Sequence, residues 1–386
     1  MNKNHKILYI ITQGESGGAQ KYVHDLAVNL AKDYDITVAV GEPHGQRNLQ
    51  SRITSHIPHI KMVQLTHLVR RISPIHDILA LFELRKLYRK LQPDIIHLNS
   101  SKAGLLGSLA KWYVLSDTCY VIYTVHGWVF NEPLSKLKKK LYFLLEKYTA
   151  KFKDKIIVLN EKEWSDATNL LKIPQKKLTI VPPGIDIKQN YFNKVEAKEK
   201  LKKFLSKPIL ENDYVVGTIA NHYKTKGLDV LIKAAAKIKE KNIHFIIIGD
   251  GPQKNDLQLQ ITNYKLQNFY LLGSIENASA YLKAFDLFVL PSRKEGFPYT
   301  ILEAMAQNIP VITTDVGGIG TLVQNKKTGF VIKPDDVDEL AKTICKALLL
   351  QDQIKTVTTQ AYEEIKKYTL EKMISKTTSV YQHLLK

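Results

Sequence analysis

YVVGTIA, residues 214–220, opens a series of short apolar segments, and it is the second such series in the chain. HFIIIGD (244–250), FYLLG (269–273), LFVLPS (287–292), PVITT (310–314) and GFVIK (329–333) follow it. Each is apolar at nearly every position instead of alternating. Strands covered on both faces of a parallel sheet read this way. The earlier series is KILYIIT (6–12), ITVAV (36–40), DIIHLN (94–99), CYVIYTVH (119–126), KIIVLN (155–160) and LTIVPPG (178–184). Helical patterns fill the gaps. In GAQKYVHDLAVNLAK, for example, Val23, Leu26, Ala27 and Leu30 share one helical face.

The two series are separated by VPPGIDIKQNYFNKVEAKEKLKKFLSK. Pro182, Pro183 and Gly184 punctuate it, and a charged, apolar-poor helix follows. The pattern predicts an α/β chain of two doubly wound parallel-sheet domains, residues 1–186 and 187–368. Residues 369–386 end in a helical pattern that is expected to pack back on the first domain. Open parallel sheets bind ligands beyond the carboxyl ends of their strands, so an interdomain cleft is the expected site.

A length of 386 residues suits two domains, and 44% hydrophobic with 24% charged residues excludes a disordered or fibrous chain. Cys119 and Cys345 are the only cysteines, too few for a disulfide framework or a cysteine zinc site. No apolar run approaches the ~20 residues of a membrane span. The apolar stretch Ile7–Ile11 is too short for a signal-peptide core, so the cytoplasm is the expected location. The formal charge is +19, with 27 Lys+Arg against 16 Asp+Glu up to Asp186 and 29 against 21 beyond it. Nucleic-acid binders concentrate charge on one face, and no helix-turn-helix, zinc-finger or RRM signature is present. A spread excess fits a polyphosphate ligand or an anionic membrane surface instead.

Chemistry is expected at strand-to-helix junctions. ITQGESGGAQ (11–20) places Gly14, Gly17 and Gly18 before a helix start, where backbone amides can meet an anion. The spacing matches neither G-x-G-x-x-G nor a P-loop, and a plain tight turn explains it equally well. His126 ends CYVIYTVH and is a candidate to hydrogen-bond a ligand hydroxyl or move a proton, the alternative being a histidine satisfied in the core. GTIANHYKTKG (217–227) sets Lys226 at a helix N-terminus, suited to a diphosphate. In PSRKEGFPYTILEAMAQNIPVITTDVGG (291–318), seven residues separate Glu295 from Glu303. The first falls on a loop after LFVLPS and the second just over one turn into a helix starting near Tyr299. One carboxylate can take sugar hydroxyls and the other a ribose diol, with the amides near Gly296 and Phe297 facing negative charge.

Taken together these segments resemble the retaining glycosyltransferases of family 4, which have the GT-B architecture of two Rossmann-like domains. The Glu-seven-Glu segment is the most specific element, and GESGGAQ, TVHGW, VPPGID and KTKGLDVLI keep the family's order. NSSKAGLLGSLAKW followed by TVHGW is most similar to the capsule and exopolysaccharide branch. The resemblance implies donor-binding roles for Gly18, Lys226, Gly296, Phe297 and Glu303. It places Glu295 and His126 at the transferred sugar, as the catalytic pair. Gly17, Asn221 and Lys224 are further candidates for phosphate or nucleotide contact. The family carries an arginine five residues before the lysine of Lys-Gly. Here that position is Asn221, with Lys224 as the nearest replacement charge.

The resemblance also implies a nucleotide-sugar donor, with UDP-sugar the expected class. It implies a lipid-linked saccharide acceptor in capsule, exopolysaccharide or O-antigen synthesis, no metal or other cofactor, and no nucleic acid. A nucleotide-sugar epimerase or hydrolase would use the same architecture. Asp33-Tyr34-Asp35 matches a metal-binding Asp-x-Asp by spacing but precedes a strand instead of ending one. The segment 133–153 puts Leu137, Leu141, Leu144, Leu145 and Tyr148 on one helical face with lysines around it. It reads equally as a core-packed helix with a solvated basic face or as a helix placing the protein at a membrane periphery.

Overall fold

The computed structural model describes residues 5–15, 17–42, 49–58, 60–111, 119–189, 191–205, 208–210 and 212–386. Two compact units result: Met1–Pro183 with Leu370–Lys386, and Gly184–Thr369. Both are wound around parallel sheets flanked by helices, the α/β class read from the uninterrupted apolar runs.

In the first unit, β1 (Lys6–Gln13), β2 (Asp35–Glu42), β3 (Lys61–Gln64), β4 (Ile95–Leu98), β5 (Tyr120–Thr124), β6 (Lys155–Val158) and β7 (Leu178–Ile180) form one sheet. Its order is β3-β2-β1-β4-β5-β6-β7 and every pairing is parallel. The winding direction reverses between β1 and β4, which opens a crevice at their carboxyl ends. Strand β3 was not expected. It is an edge strand with exposed Lys61 and Gln64, so it lacks the apolar run that betrays its neighbours.

The helices of this unit are α1 (Gly18–Leu30), α2 (Leu49–His56), α3 (Pro74–Leu91), α4 (Ser101–Lys111), α5 (Lys136–Thr149) and α6 (Glu161–Ser165). Right-handed crossovers put α3, α4 and α5 on one face of the sheet, and α4 packs against both its neighbours. Leu8, Ile10, Ile96, Leu98 and Tyr123 from the sheet pack there with Ala80, Leu84 and Tyr88 of α3 and Leu106 of α4. Truncating such a side chain, as in Leu84→Ala, costs about 2–5 kcal/mol.

The second unit holds β8 (Tyr214–Ile219), β9 (Ile243–Ile248), β10 (Phe269–Leu271), β11 (Leu287–Leu290), β12 (Val311–Thr314) and β13 (Phe330–Ile332). The order is β10-β9-β8-β11-β12-β13, again all parallel, with the reversal between β8 and β11. Its helices are α7 (Lys194–Lys202), α8 (Leu228–Lys237), α9 (Lys254–Asn263), α10 (Tyr299–Ala306), α11 (Ile319–Leu322), α12 (Val337–Leu349) and α13 (Gln351–Ile365). Where the chain enters and leaves this unit, the Ile185 amide donates to the Tyr368 carbonyl at 3.0 Å, and Ile185 bridges Thr369.

The last helix, α14 (Leu370–Leu385), belongs to the first unit. It buries Met373, Thr377, Val380 and Tyr381, a helical stripe, and contacts α1. The Tyr381 hydroxyl lies 3.0 Å from the Tyr9 hydroxyl and 2.6 Å from His97 Nδ1. The other ring nitrogen of His97 lies 2.6 Å from Thr124 Oγ1. All four side chains are buried, and the chain of hydrogen bonds satisfies them. His97 is thus a core histidine with both nitrogens occupied. No described helix is long and apolar enough to cross a membrane.

Candidate active site

The reversal point of the second sheet gathers the charged residues. After β8 the chain makes a tight helical turn, Lys224–Lys226, and Gly227 ends it at φ +64°. A side chain at Gly227 would meet the Pro291 carbonyl oxygen at 2.0 Å, so only glycine lets this turn lie against the loop after β11. The contact brings Lys226 Nζ to 2.7 and 2.9 Å from the two carboxylate oxygens of Glu295. The fully buried Ser292 hydroxyl donates to the same carboxylate at 2.7 Å. Glu295 is buried, while the Lys226 side chain is 25% exposed.

Two further features hold this loop. Gly317, at φ +58°, lies over it so closely that a Cβ would stand 1.8 Å from the Glu295 carbonyl oxygen, and the Gly318 amide donates to the Gly296 carbonyl at 3.0 Å. The Arg293 guanidinium reaches both Asp229 oxygens at 2.7 and 2.8 Å, Asp335 Oδ1 at 2.7 Å, and the Lys224 carbonyl at 2.8 Å. Burial pushes the Asp229 carboxyl up, but the hydrogen bonds and charge of Arg293 outweigh it and hold that group below the usual carboxylate range. Arg293 was not picked out from the sequence, because its two carboxylate partners lie 64 and 42 residues away. With both carboxylates engaged, its charge is balanced within the fold of this unit. Asn221 is half-buried two residues beyond β8, and Lys224 is exposed on the turn.

Glu303 is buried one turn into α10, as its spacing implied. Beside it stands Tyr191, whose phenol is pushed up by burial first and then by the charge of Glu303. The Tyr191 hydroxyl is buried without a hydrogen-bond partner among the described residues. No motif pointed to it, since it lies in the irregular segment ahead of α7. Gly296 and Phe297 precede α10, which Pro298 caps. Phe297 is buried, its ring centroid 5.3 Å from that of Tyr368.

In the first unit Gly17 is the N-cap of α1 and Gly18 its first residue, with no side chain capping the helix amides. Gly17 is extended, at φ −169°, so no left-handed turn is built here. His126 stands two residues past the end of β5, slightly further out than the strand end expected for it. Its Nε2 is buried and unbonded among the described residues. Its ring meets Tyr22 of α1 edge-on at 5.1 Å. Burial pushes the His126 imidazole down to about 3, which leaves it neutral near pH 7. His97 is also held down to about 3, by burial and then by His126. A neutral imidazole can position a hydroxyl or accept a proton, but it carries no charge to a ligand.

No group of three or more His, Cys, Asp or Glu among the described residues could hold a metal ion. Asp33 lies in the turn before β2, and Asp35, at the amino end of that strand, faces Lys61 at 3.4 Å.

Comparison with known proteins places this arrangement. A family model described as Glycosyltransferase Family 4 matches residues 16–189, and one described as Glycosyl transferases group 1 matches residues 198–369. Over 287 residues the chain is 33% identical to the UDP-Gal:alpha-D-GlcNAc-diphosphoundecaprenol alpha-1,3-galactosyltransferase of Escherichia coli, covering 72% of each protein. It is 26% identical over 356 residues to the capsular polysaccharide biosynthesis glycosyltransferase CapM of Staphylococcus aureus, covering 90% of this chain and 88% of that one. The crystal structure of Anabaena HepE in complex with UDP and glucose matches with a TM-score of 0.82 at 21% identity, covering 98% of this chain and 100% of that one. Two Rossmann-like units, family models spanning both, and this extent of identity together establish that the chain belongs to glycosyltransferase family 4, with the GT-B fold.

Proposed function

We propose that the chain transfers a hexose or N-acetylhexosamine from a UDP-sugar to a lipid-linked glycan, with retention of configuration, in capsule, exopolysaccharide or O-antigen synthesis. The observation that carries this reading is the Lys226–Glu295–Ser292 cluster at the carboxyl ends of β8 and β11. It offers one cation and one buried carboxylate side by side, as a sugar diphosphate requires. When the donor binds, Lys226 turns from Glu295 to the diphosphate and Glu295 takes sugar hydroxyls. The names of the Escherichia coli and Staphylococcus aureus relatives support the donor and the product class.

The chemistry follows from those charges. The bond from the anomeric carbon to the phosphate oxygen breaks, and Lys226 stabilises the negative charge that develops there. The acceptor oxygen attacks from the same face, and its proton passes to the leaving phosphate. Glu303 holds the ribose diol. The neutral His126 accepts or donates a hydrogen bond at the transferred sugar, and the amides at Gly17, Gly18, Gly296 and Phe297 meet the phosphates. Asn221 and Lys224 flank the nucleotide. No metal takes part, so activity is expected to survive excess EDTA, and loss that manganese restores would refute this. In this reading Gly184–Thr369 holds the donor, the first unit receives the acceptor, and the enzyme works at the inner face of the plasma membrane.

Calorimetry with UDP, GDP and ADP tests the reading directly. UDP is expected to bind wild-type protein, and His126→Ala is expected to bind it equally while losing most of its turnover. Absence of binding by any of the three nucleotides would overturn the proposal.

A further inference from the structure

Helix α5 exposes its apolar stripe and buries polar side chains. Leu137, Leu141, Leu144 and Tyr148 recur at helical spacing and are 79, 46, 51 and 55% exposed. Its fully buried side chains are Glu146 and Thr149, with Tyr142 and Phe143 half-buried against the core. Lys153, 1% exposed, fixes this orientation. Its Nζ lies 3.2 Å from Glu146 Oε2, 3.1 Å from Thr149 Oγ1 and 4.2 Å from the Tyr123 ring centroid. Rotating the leucines inward would pull Glu146 away from a buried ammonium, which is strongly unfavourable. The exposed stripe is therefore built into the fold. The core-packed reading of this segment does not hold for these leucines.

Helix α3 repeats the pattern. Ala80, Leu84, Leu87 and Tyr88 face the core, while Ile75, Ile78, Leu79 and Phe82 form a second stripe 72, 55, 39 and 59% exposed. Ile72, just before the helix, is 57% exposed. The two helices flank α4 on one face of the sheet. They come near enough for Asp77 of α3, after burial and Glu132, to help push the Tyr142 phenol of α5 up.

Charge sets the occupant. The acidic side chains of these helices are engaged elsewhere. Asp77 pairs with Lys102 at 2.6 Å, Glu83 accepts from the amides of Thr66 and His67, and Glu146 holds Lys153. Lys136, Lys138, Lys140 and Lys147 are exposed around the leucines of α5, and Lys86, Arg89 and Lys90 are exposed on α3. Apolar stripes of this extent mark an interaction surface. A second copy of the chain would bring two rows of lysines together, whereas anionic headgroups neutralise them.

We propose that the α3–α5 face of the first unit docks on an anionic lipid bilayer. Ile75, Phe82, Leu137 and Leu141 enter the headgroup layer and the lysines meet lipid phosphates, as in an interfacial amphipathic helix. The inference rests on the lipid-linked acceptor of the proposed function and adds the surface that reaches it.

Vesicle co-sedimentation of the full chain tests it. Phosphatidylglycerol vesicles are expected to bind wild-type protein, and pure phosphatidylcholine vesicles to bind at least tenfold less. The variants Leu137→Gln/Leu141→Gln/Leu144→Gln and Ile75→Gln/Ile78→Gln/Phe82→Gln are each expected to lose tenfold or more of the binding. Both replace exposed side chains, and an unchanged denaturant unfolding transition of the first unit would show them folded. Equal binding to both vesicle types, or binding unaffected by both triple variants, overturns the proposal. So does a concentration-dependent dimer that the variants abolish without any vesicle binding. Failure of UDP to bind wild-type protein would count against the proposed function and leave the vesicle result to be read separately.

Discussion

The first unit holds His97 within β4 and His126 just beyond β5, both kept neutral by burial, whereas the second unit offers Lys226 and Glu295 as an ion pair beyond β8 and β11. Both sites lie beyond the carboxyl ends of parallel strands, His126 after β5 and one strand from the reversal in winding, Lys226 and Glu295 after the two strands that flank theirs. What differs is the immediate surroundings. His97 is enclosed by Tyr381 and Thr124 and His126 packs against Tyr22, whereas Lys226 remains one-quarter exposed. In the proposed function the polar but uncharged end meets hydroxyl groups and the charged end meets a diphosphate, so that a handful of side chains would divide the tasks between two similar sheets.

The sharpest way to break this contrast is to remove the charge. Lys226→Ala is expected to lower transfer by about 10²–10³, the usual cost of one electrostatic donor in a site of this kind. Steady-state rates with UDP-sugar measure it, and a loss under tenfold would mean that the ion pair is structural. Glu303→Ala removes hydrogen bonds to a charged group and is expected to weaken UDP about tenfold to a hundredfold by calorimetry. An unchanged affinity would dismiss the ribose role.

On the neutral side, Tyr381→Phe leaves the Tyr9 hydroxyl and His97 Nδ1 without their shared partner. It is expected to cost about 1–3 kcal/mol in denaturant unfolding, with the transition of the second unit unmoved. A smaller effect is expected from pH. His97 and His126 have folded values near 3 against 6.5 ordinarily, so the unfolded chain takes up protons that the folded one refuses. Stability of the first unit should therefore fall as pH drops from about 6.5 towards 3 and be fully present above that range. His97→Gln should flatten the slope. An identical slope in variant and wild type would place the titration elsewhere.

Much of this was legible in advance because buried parallel strands announce themselves. Six strands of each sheet appear as continuous apolar runs, and only β3, half exposed at an edge, escapes that signal. The Glu295–Glu303 spacing places one carboxylate on a loop and one in a helix because a turn and a helix are local features. The remaining parts depend on distance along the chain. Arg293 gains its role from Asp229 and Asp335, Tyr191 from Glu303, and His97 from a tyrosine 284 residues away. The stripe on α5 was visible, but its outward orientation is set by the buried Lys153–Glu146 pair, which hydrophobic periodicity does not encode.

The return of α14 to the first unit has a consequence for how the protein is made. Translation proceeds from the N-terminus, so β1 and β4 leave the ribosome long before Tyr381 does. Until then the Tyr9 hydroxyl and His97 lack their shared partner, and the part of α1 that α14 contacts stays uncovered. The second unit, continuous from Gly184 to Thr369, can complete its fold in the meantime. The domain synthesised first is thus the last to be finished, and a chain cut ahead of Tyr381 would leave the Tyr9 hydroxyl and His97 without that partner.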